Sequence, residues 1–165
     1  MDKNKIKNGL YIVSTPIGNL KDITLRALEI LRKSDYVLCE DTRVSKKLFN
    51  NFNIHTKLIP NHKFNETRNL EKIDNYLLNN KIISLISDSG TPLISDPGKI
   101  LVKFCEKKKI RVIPIPGPSS ITASLSVSTF SNNFYFHGFL PEKNSQISKD
   151  FLFLSNLKCS IIFFI

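Results

Sequence analysis

The sequence predicts an α/β protein: a mostly parallel five-stranded sheet flanked by helices, followed by an incomplete second α/β domain. Two observations lead there. Short apolar runs alternate with amphipathic stretches along most of the chain, which is the pattern of right-handed βαβ units and a parallel sheet. The segments rich in Gly, Pro and Asp follow the first, second, fourth and fifth apolar runs. They therefore collect on one side of the sheet, beyond the carboxyl ends of the strands, where such sheets bind ligands.

In order, residues 10–13 read as the first strand. Residues 24–33 read as a helix, with Ala27, Leu28 and Leu31 on one side and Asp22 or Thr24 near its start. A second strand covers 36–39, and 43–52 is a basic amphipathic helix. A short third strand covers 56–59, and 66–78 carries Leu70, Ile73, Leu77 and Leu78 at helical spacing. Residues 82–86 are uniformly apolar around one Ser, as a buried parallel strand should be. Residues 98–108 form a helix, 112–115 a fifth strand and 120–128 a short helix. The pattern then changes, with strands at 134–139 and 160–165 around a helix at 147–157. Asn132 and Asn133 mark the joint, so the expected domains are 1–131 and 132–165, the second one incomplete.

The 165 residues suffice for one well-cored domain and part of another. Lys and Arg number 24 against 14 acids, a net charge of +10 and a sequence pI near 9.6. Such a surface attracts polyanions, nucleic acid first. The abundance of Lys, Asn and Ile also fits AT-rich codons, so charge alone names no partner. Cys39, Cys105 and Cys159 are odd in number and widely spaced, which is neither a disulfide framework nor a zinc pattern. His55, His62 and His137 are too scattered for a metal site. The polar, basic first nine residues lack the apolar run of a signal peptide, and no stretch reaches the ~20 apolar residues of a spanning helix. The expectation is a cytoplasmic protein with no metal and no membrane association.

Four loops carry candidate chemistry, and each has a structural reading beside the chemical one. After the first strand comes Thr15-Pro16-Ile17-Gly18-Asn19-Leu20, where Gly18 allows a sharp turn and a ligand close to the main chain. It is not the G-x-G-x-x-G fingerprint, which argues against a nicotinamide enzyme. The second strand leads into Glu40-Asp41-Thr42-Arg43, with Lys46 and Lys47 beyond. These side chains either position a hydroxyl or phosphate, or simply start a helix capped by Asp41 or Thr42. The long loop from Ser87 to Gly98 holds two Gly, two Pro and two Asp. Loops of that length inside a compact domain are usually functional. Its Ser87-Asp88 start can hold ribose hydroxyls or an amine, and its Asp96-Pro97-Gly98 end can begin the next helix. After the fifth strand, Pro114, Pro116 and Pro118 fix the path and Gly117 permits close approach. Ser119 or Ser120 caps the following helix or donates to a ligand.

Together, and in order, these segments resemble the ribosomal RNA small subunit methyltransferase I family of the tetrapyrrole-methylase superfamily. The resemblance rests on Leu10-Tyr11-Ile12-Val13-Ser14-Thr15-Pro16-Ile17-Gly18-Asn19-Leu20, Asp22-Ile23-Thr24-Leu25-Arg26-Ala27-Leu28, Glu40-Asp41-Thr42-Arg43, the Ser87 to Gly98 loop, Pro114 to Ser119, and Gly138-Phe139-Leu140-Pro141. It implies two α/β domains with S-adenosyl-L-methionine between them, and 2′-O-methylation of a cytidine in the decoding region of 16S ribosomal RNA in the small ribosomal subunit. It also implies a homodimer. Carried over by motif, the cofactor touches Pro16, Ile17 and Gly18, then Asp88, Gly90 and Thr91, then Ser119, Ser120 and Ile121. Arg43, Lys46 and Lys47 are the RNA-binding candidates, and Glu40 or Asp41 the base that helps a ribose hydroxyl attack. Ser89 stands where the family usually has Ala, and residues 61–66 only partly match its His-rich loop. The chain is expected to be a C-terminally shortened member. Two other readings remain: a non-catalytic remnant that binds cofactor or RNA, and a methyltransferase for a tetrapyrrole or another small acceptor.

Overall fold

A computed structural model describes residues 6–165. The chain divides into two compact units, Met1–Ser119 and Ser120–Ile165. This division falls ahead of the joint read from the sequence at 131/132.

The first unit is a five-stranded sheet in the order β3-β2-β4-β1-β5, with every neighbouring pair parallel. Its strands are β1 (Gly9–Val13), β2 (Tyr36–Cys39), β3 (Lys57–Pro60), β4 (Ile82–Leu85) and β5 (Val112–Ile115). The helices between them are α1 (Leu25–Lys33), α2 (Thr42–Asn51), α3 (Glu66–Leu78) and α4 (Lys99–Lys107). The central strands β1, β2 and β4 are almost wholly buried. Pro114 sits in β5, which pairs only with β1, and a proline is tolerated on such an edge because one side of the strand needs no ladder donor.

Alternation along the strands splits the core between the two faces. Tyr11, Val13, Val37 and Cys39 pack with Ala27, Ile30, Leu31, Leu48 and Phe49 of α1 and α2. Leu10, Ile12, Leu38, Ile83 and Leu85 pack with Ile73, Leu77, Leu101 and Cys105 of α3 and α4. The chain travels one way along the sheet from β1 to β3, then reverses through β4 to β5. Right-handed crossovers then require the helices to change face at the reversal. The segment leaving β4 thus goes to the opposite face from those leaving β1 and β2. Crevices open on both sides of the carboxyl end of β4, as at the switch points of doubly wound sheets.

Local signals hold the helix starts in place. The Thr24 hydroxyl accepts from Ala27 N–H at 3.0 Å and caps α1, and Asp41 caps α2 by accepting from Arg43 N–H at 2.7 Å. Gly98, before α4, has a φ of +118° and offers no side-chain cap. Glu66 takes over from a distance: it is 4% exposed, and its Oε1 accepts the Leu101 N–H at 3.0 Å.

In the second unit, α5 (Ser120–Ser126) precedes β6 (Phe134–Phe139), α6 (Asn144–Leu154) and β7 (Ser160–Phe164). The two strands are parallel, with a register shift between Phe136 and Gly138. The α6 helix starts and ends three residues ahead of the 147–157 span expected from apolar spacing, because Ser155 and Asn156 fold back onto the Leu152 carbonyl at 3.0 and 2.7 Å and close the helix. Cys39 and Cys105 are buried free thiols, and Cys159 is partly exposed. Among the described residues, no helix is long and apolar enough to cross a membrane.

Candidate functional site

The loops after β1, β4 and β5 are tied into one structure at the carboxyl end of the sheet. Thr15 and Gly90 exchange backbone hydrogen bonds at 2.9 and 3.2 Å. The Thr15 hydroxyl also donates to the Ser87 carbonyl at 3.2 Å, and the Ser87 hydroxyl to the Gly90 carbonyl at 3.2 Å. Thr91 donates to the Pro118 carbonyl at 3.0 Å, so the Ser14 hydroxyl, 3.0 Å from Thr91 Oγ1, donates in turn to Thr91. Ser14, Thr15 and Ser87 are buried. Their polar atoms are used in holding the loops together, as burial demands.

Glycine sets how closely the loops approach. A Cβ on Gly117 would lie 2.8 Å from Ser14 Cβ, and one on Gly90, whose φ is +80°, 3.2 Å from Ile17 Cγ2. Gly18 differs. It is exposed, and nothing lies within 4 Å of its Cβ position, so main chain there is bare. The sequence-predicted Pro16 is buried and Ile17 half-buried beside it.

Four carboxylates gather beyond β2 and β4. The Asp41 N–H donates to Asp88 Oδ1 at 3.2 Å and joins the two strand ends. Asp41 itself is occupied: besides capping α2 it takes a fork from Arg43 Nε at 3.1 Å and Nη2 at 2.6 Å, and these bonds hold its carboxyl at about 2. Among the described residues no cation pairs with the other three, although Asp88 accepts the Asp41 N–H and the Ser87 side chain bonds to Asp96. Burial and the charge of Asp88 push Glu40 up, against a downward pull from His62. Burial also raises Asp88, opposed by its bond from the Asp41 N–H. Asp96 goes furthest. Burial, then the charges of Glu40 and Asp88, push it up to about 6. Like charges crowded in one place resist ionising together, so this cluster suits a cationic ligand or the acceptance of a proton.

The remaining predicted residues fall on or beside α2 and α5. Arg43, Lys46 and Lys47 are exposed on α2. Ser119 closes the first unit, while Ser120 and the buried Ile121 open α5 in the second. Sequence reasoning passed over two residues. Asp96 was read as a helix start, although an Asp closing a Gly- and Pro-rich strand-end loop was a usable signal. Glu66, 35 positions from the amide it caps, left no signal beyond its place at the start of α3. Among the described residues, no group of three or more His, Cys, Asp or Glu is arranged to hold a metal ion.

The signature of the Tetrapyrrole (Corrin/Porphyrin) Methylases matches residues 9–138. The chain belongs to the tetrapyrrole methylase family. Among curated relatives, the "Ribosomal RNA small subunit methyltransferase I" of Mesomycoplasma conjunctivae is 53% identical over 157 residues, covering 94% of this chain and 66% of that protein. The protein of the same name from Rickettsia prowazekii is 46% identical over 160 residues, 96% of this chain and 57% of its own length. This tetrapyrrole methylase thus spans roughly three-fifths of the relatives it matches. The crystal structure of uroporphyrin-III-C-methyltransferase from Thermus thermophilus superposes with a TM-score of 0.61 at 16% identity, over 82% of this chain and 65% of that one. That likeness shows the same fold.

Proposed function

We propose that this tetrapyrrole methylase binds S-adenosylmethionine at the carboxyl-end crevice of its first unit and serves 2′-O-methylation of a cytidine in the decoding region of 16S ribosomal RNA. The observation that carries the reading is the convergence of three Gly/Pro loops on bare backbone beside carboxylates held above their usual range. The residues fit the group. Exposed main chain at Gly18, and the close approach that Gly90 and Gly117 permit, suit a flat adenosyl body. Asp88 offers a carboxylate to ribose hydroxyls or an ammonium, and Pro16, Ile17, Thr91 and Ser119 line the loops around it. The names of the curated relatives support RNA as the acceptor, and so does the basic surface.

Bound there, the cofactor supplies an electrophilic methyl group on a sulfonium that becomes neutral on transfer. The chain supplies position, which can account for roughly 7–11 kcal/mol of a barrier, and a place for the ribose proton. We assign that proton to the facing Glu40 and Asp96 carboxylates, whose raised affinities lie closer to neutral pH than an ordinary carboxylate's. Asp41 is held as a cap and an Arg43 partner and is a poor acceptor.

Calorimetry with S-adenosylmethionine, paired with methyl transfer to small ribosomal subunits, tests the reading. The expected results are binding that Asp88→Ala weakens, a raised melting temperature, and label in the RNA. No heat and no thermal shift at millimolar cofactor overturns the cofactor site. Binding without turnover overturns the enzyme, and label entering a tetrapyrrole instead of RNA overturns the acceptor.

A further inference from the structure

A second feature of the first unit lies outside the crevice. Between α2 and the edge strand β3 runs a groove of about 280 Å³. Phe49, Ile54 and Leu58 form its apolar floor, and Lys46, Asn50 and His55 stand on its rim. Phe49 and Ile54 are buried, while Lys46, Asn50 and His55 are exposed. Cations outnumber acids in the segments that form it, although Arg43 is paired with Asp41 at 2.6 Å. Residues 42–65 contain Arg43, Lys46, Lys47, Lys57 and Lys63 and no Asp or Glu, and each of these cations is exposed. The groove also begins at the crevice. Thr42 lines it and directly follows Asp41, whose N–H is bonded to Asp88. At 1.5 Å per residue, Thr42 to Asn50 spans about 12 Å of helix leading away from that point.

We propose that this groove is a binding subsite for a nucleotide of single-stranded RNA flanking the methylated position. An unpaired nucleotide presents an apolar face, polar edges and an anionic phosphate, and single strands expose all three where duplex RNA does not. Half-buried Leu58, beside the edges of Phe49 and Ile54, meets the base, the Asn50 amide offers both a donor and an acceptor to its edge, and Lys46 takes the phosphate. The exposed Lys46, Lys47 and Lys57 on its two elements select a polyanion over a neutral or basic peptide. The inference rests on the RNA reading above and adds where, on this chain, the strand lies next to the crevice.

The test is crosslinking of the full chain to a short mixed-sequence oligoribonucleotide carrying 4-thiouridine, followed by peptide mapping. Affinities are measured across salt for Lys46→Glu, Asn50→Ala and His55→Ala. Lys107→Glu, at the end of α4 on the opposite face of the sheet, is the control. Melting temperatures confirm that every variant folds. Crosslinks should fall within residues 46–58. Lys46→Glu should lower affinity at least tenfold at low salt and flatten the slope of log affinity against log salt by about 0.7, the share of one phosphate contact on a single strand. Asn50→Ala and His55→Ala should lower affinity about fivefold each with the slope unchanged, as loss of base contacts does, and Lys107→Glu less than about twofold. Wild-type RNA binding that all four variants reduce equally, or that crosslinks elsewhere, overturns the groove and leaves the RNA reading standing. A chain that binds S-adenosylmethionine but no RNA overturns both. Groove variants that dissociate a dimer without touching RNA affinity assign the groove to a second copy and overturn the proposal.

Discussion

At the amino end of the sheet, Asp35 accepts the Ile82 N–H at 2.8 Å and pairs with Lys81 at 3.0 Å. Burial works to raise its carboxyl, but the Ile82 amide and Lys81 outweigh it and the net shift is downward. At the carboxyl end, Glu40, Asp88 and Asp96 have no comparable cation among the described residues, and all three shift upward. The same residue type on neighbouring strands therefore does opposite things. Asp35 fastens β2 to β4, whereas Glu40, Asp88 and Asp96 keep their mutual repulsion at the strand ends. Carboxylates kept in an unfavourable setting are what a site for a cationic ligand or a mobile proton requires. The contrast separates the end of the sheet that stabilises from the end where the proposed site lies.

If packing rather than polar pairing holds the upper cluster, disturbing the packing should do the most damage. Gly98 has a φ of +118°, and an added Cβ would fall 2.6 Å from Leu85 Cδ2 and from Leu93 Cδ2. Gly98→Ala should cost about 3 kcal/mol in chemical denaturation, combining backbone strain with overpacking. A cost below about 1 kcal/mol would mean that the loop re-forms freely and is not held from below.

Next in size is the long-range cap. Glu66→Ala strips the acceptor from the buried Leu101 N–H and should cost about 2 kcal/mol. Glu66→Gln keeps an acceptor and should cost less than half as much. Equal losses would show that the negative charge at the start of α4, not the hydrogen bond, is what matters.

The sharpest comparison is by pH. Burial and neighbouring charges push Asp96 up to about 6, above the ordinary aspartate value of about 3.9, so the folded state holds its proton more tightly than the unfolded chain. Its stabilising effect is full below about pH 4 and is lost as pH rises through about 6. Asp96→Asn should therefore raise stability by about 1 kcal/mol above pH 6, discounted for partial exposure, and do nothing below about pH 4. Asp35 runs the other way. Its lowered carboxyl stabilises above the unfolded value and fails as pH falls through the folded one. Asp35→Asn should cost about 0.5 kcal/mol at neutral pH, in the range of a partly exposed pair, and nothing in strong acid. Thermal melts of both variants across pH give the answer, and shifts of the same sign would remove the distinction between the two ends.

Much of the fold was legible because it is written in near neighbours. The apolar runs of β1, β2 and β4, the 3.6-residue spacing of α3 and the caps at Thr24 and Asp41 each depend on residues within a few positions of one another. The loops of the site were legible too, since Gly18, Gly90, Gly117 and the prolines around them mark backbone that must turn or approach closely. Periodicity cannot supply the strand order. Only the order β3-β2-β4-β1-β5 places the end of β4 between the ends of β1 and β2. That placement sets Asp96 against Glu40 and Asp88, ties Asp41 to Asp88 across 47 positions and lets Glu66 cap a helix 35 positions away. It also leaves β3 at an edge beside α2, where the basic groove opens. The sequence determined which residues carry charge, turn and apolar surface. The tertiary structure decided which carboxylates face one another, because proximity across a parallel sheet is set by long crossovers and helix packing, and neither leaves a local mark in the chain.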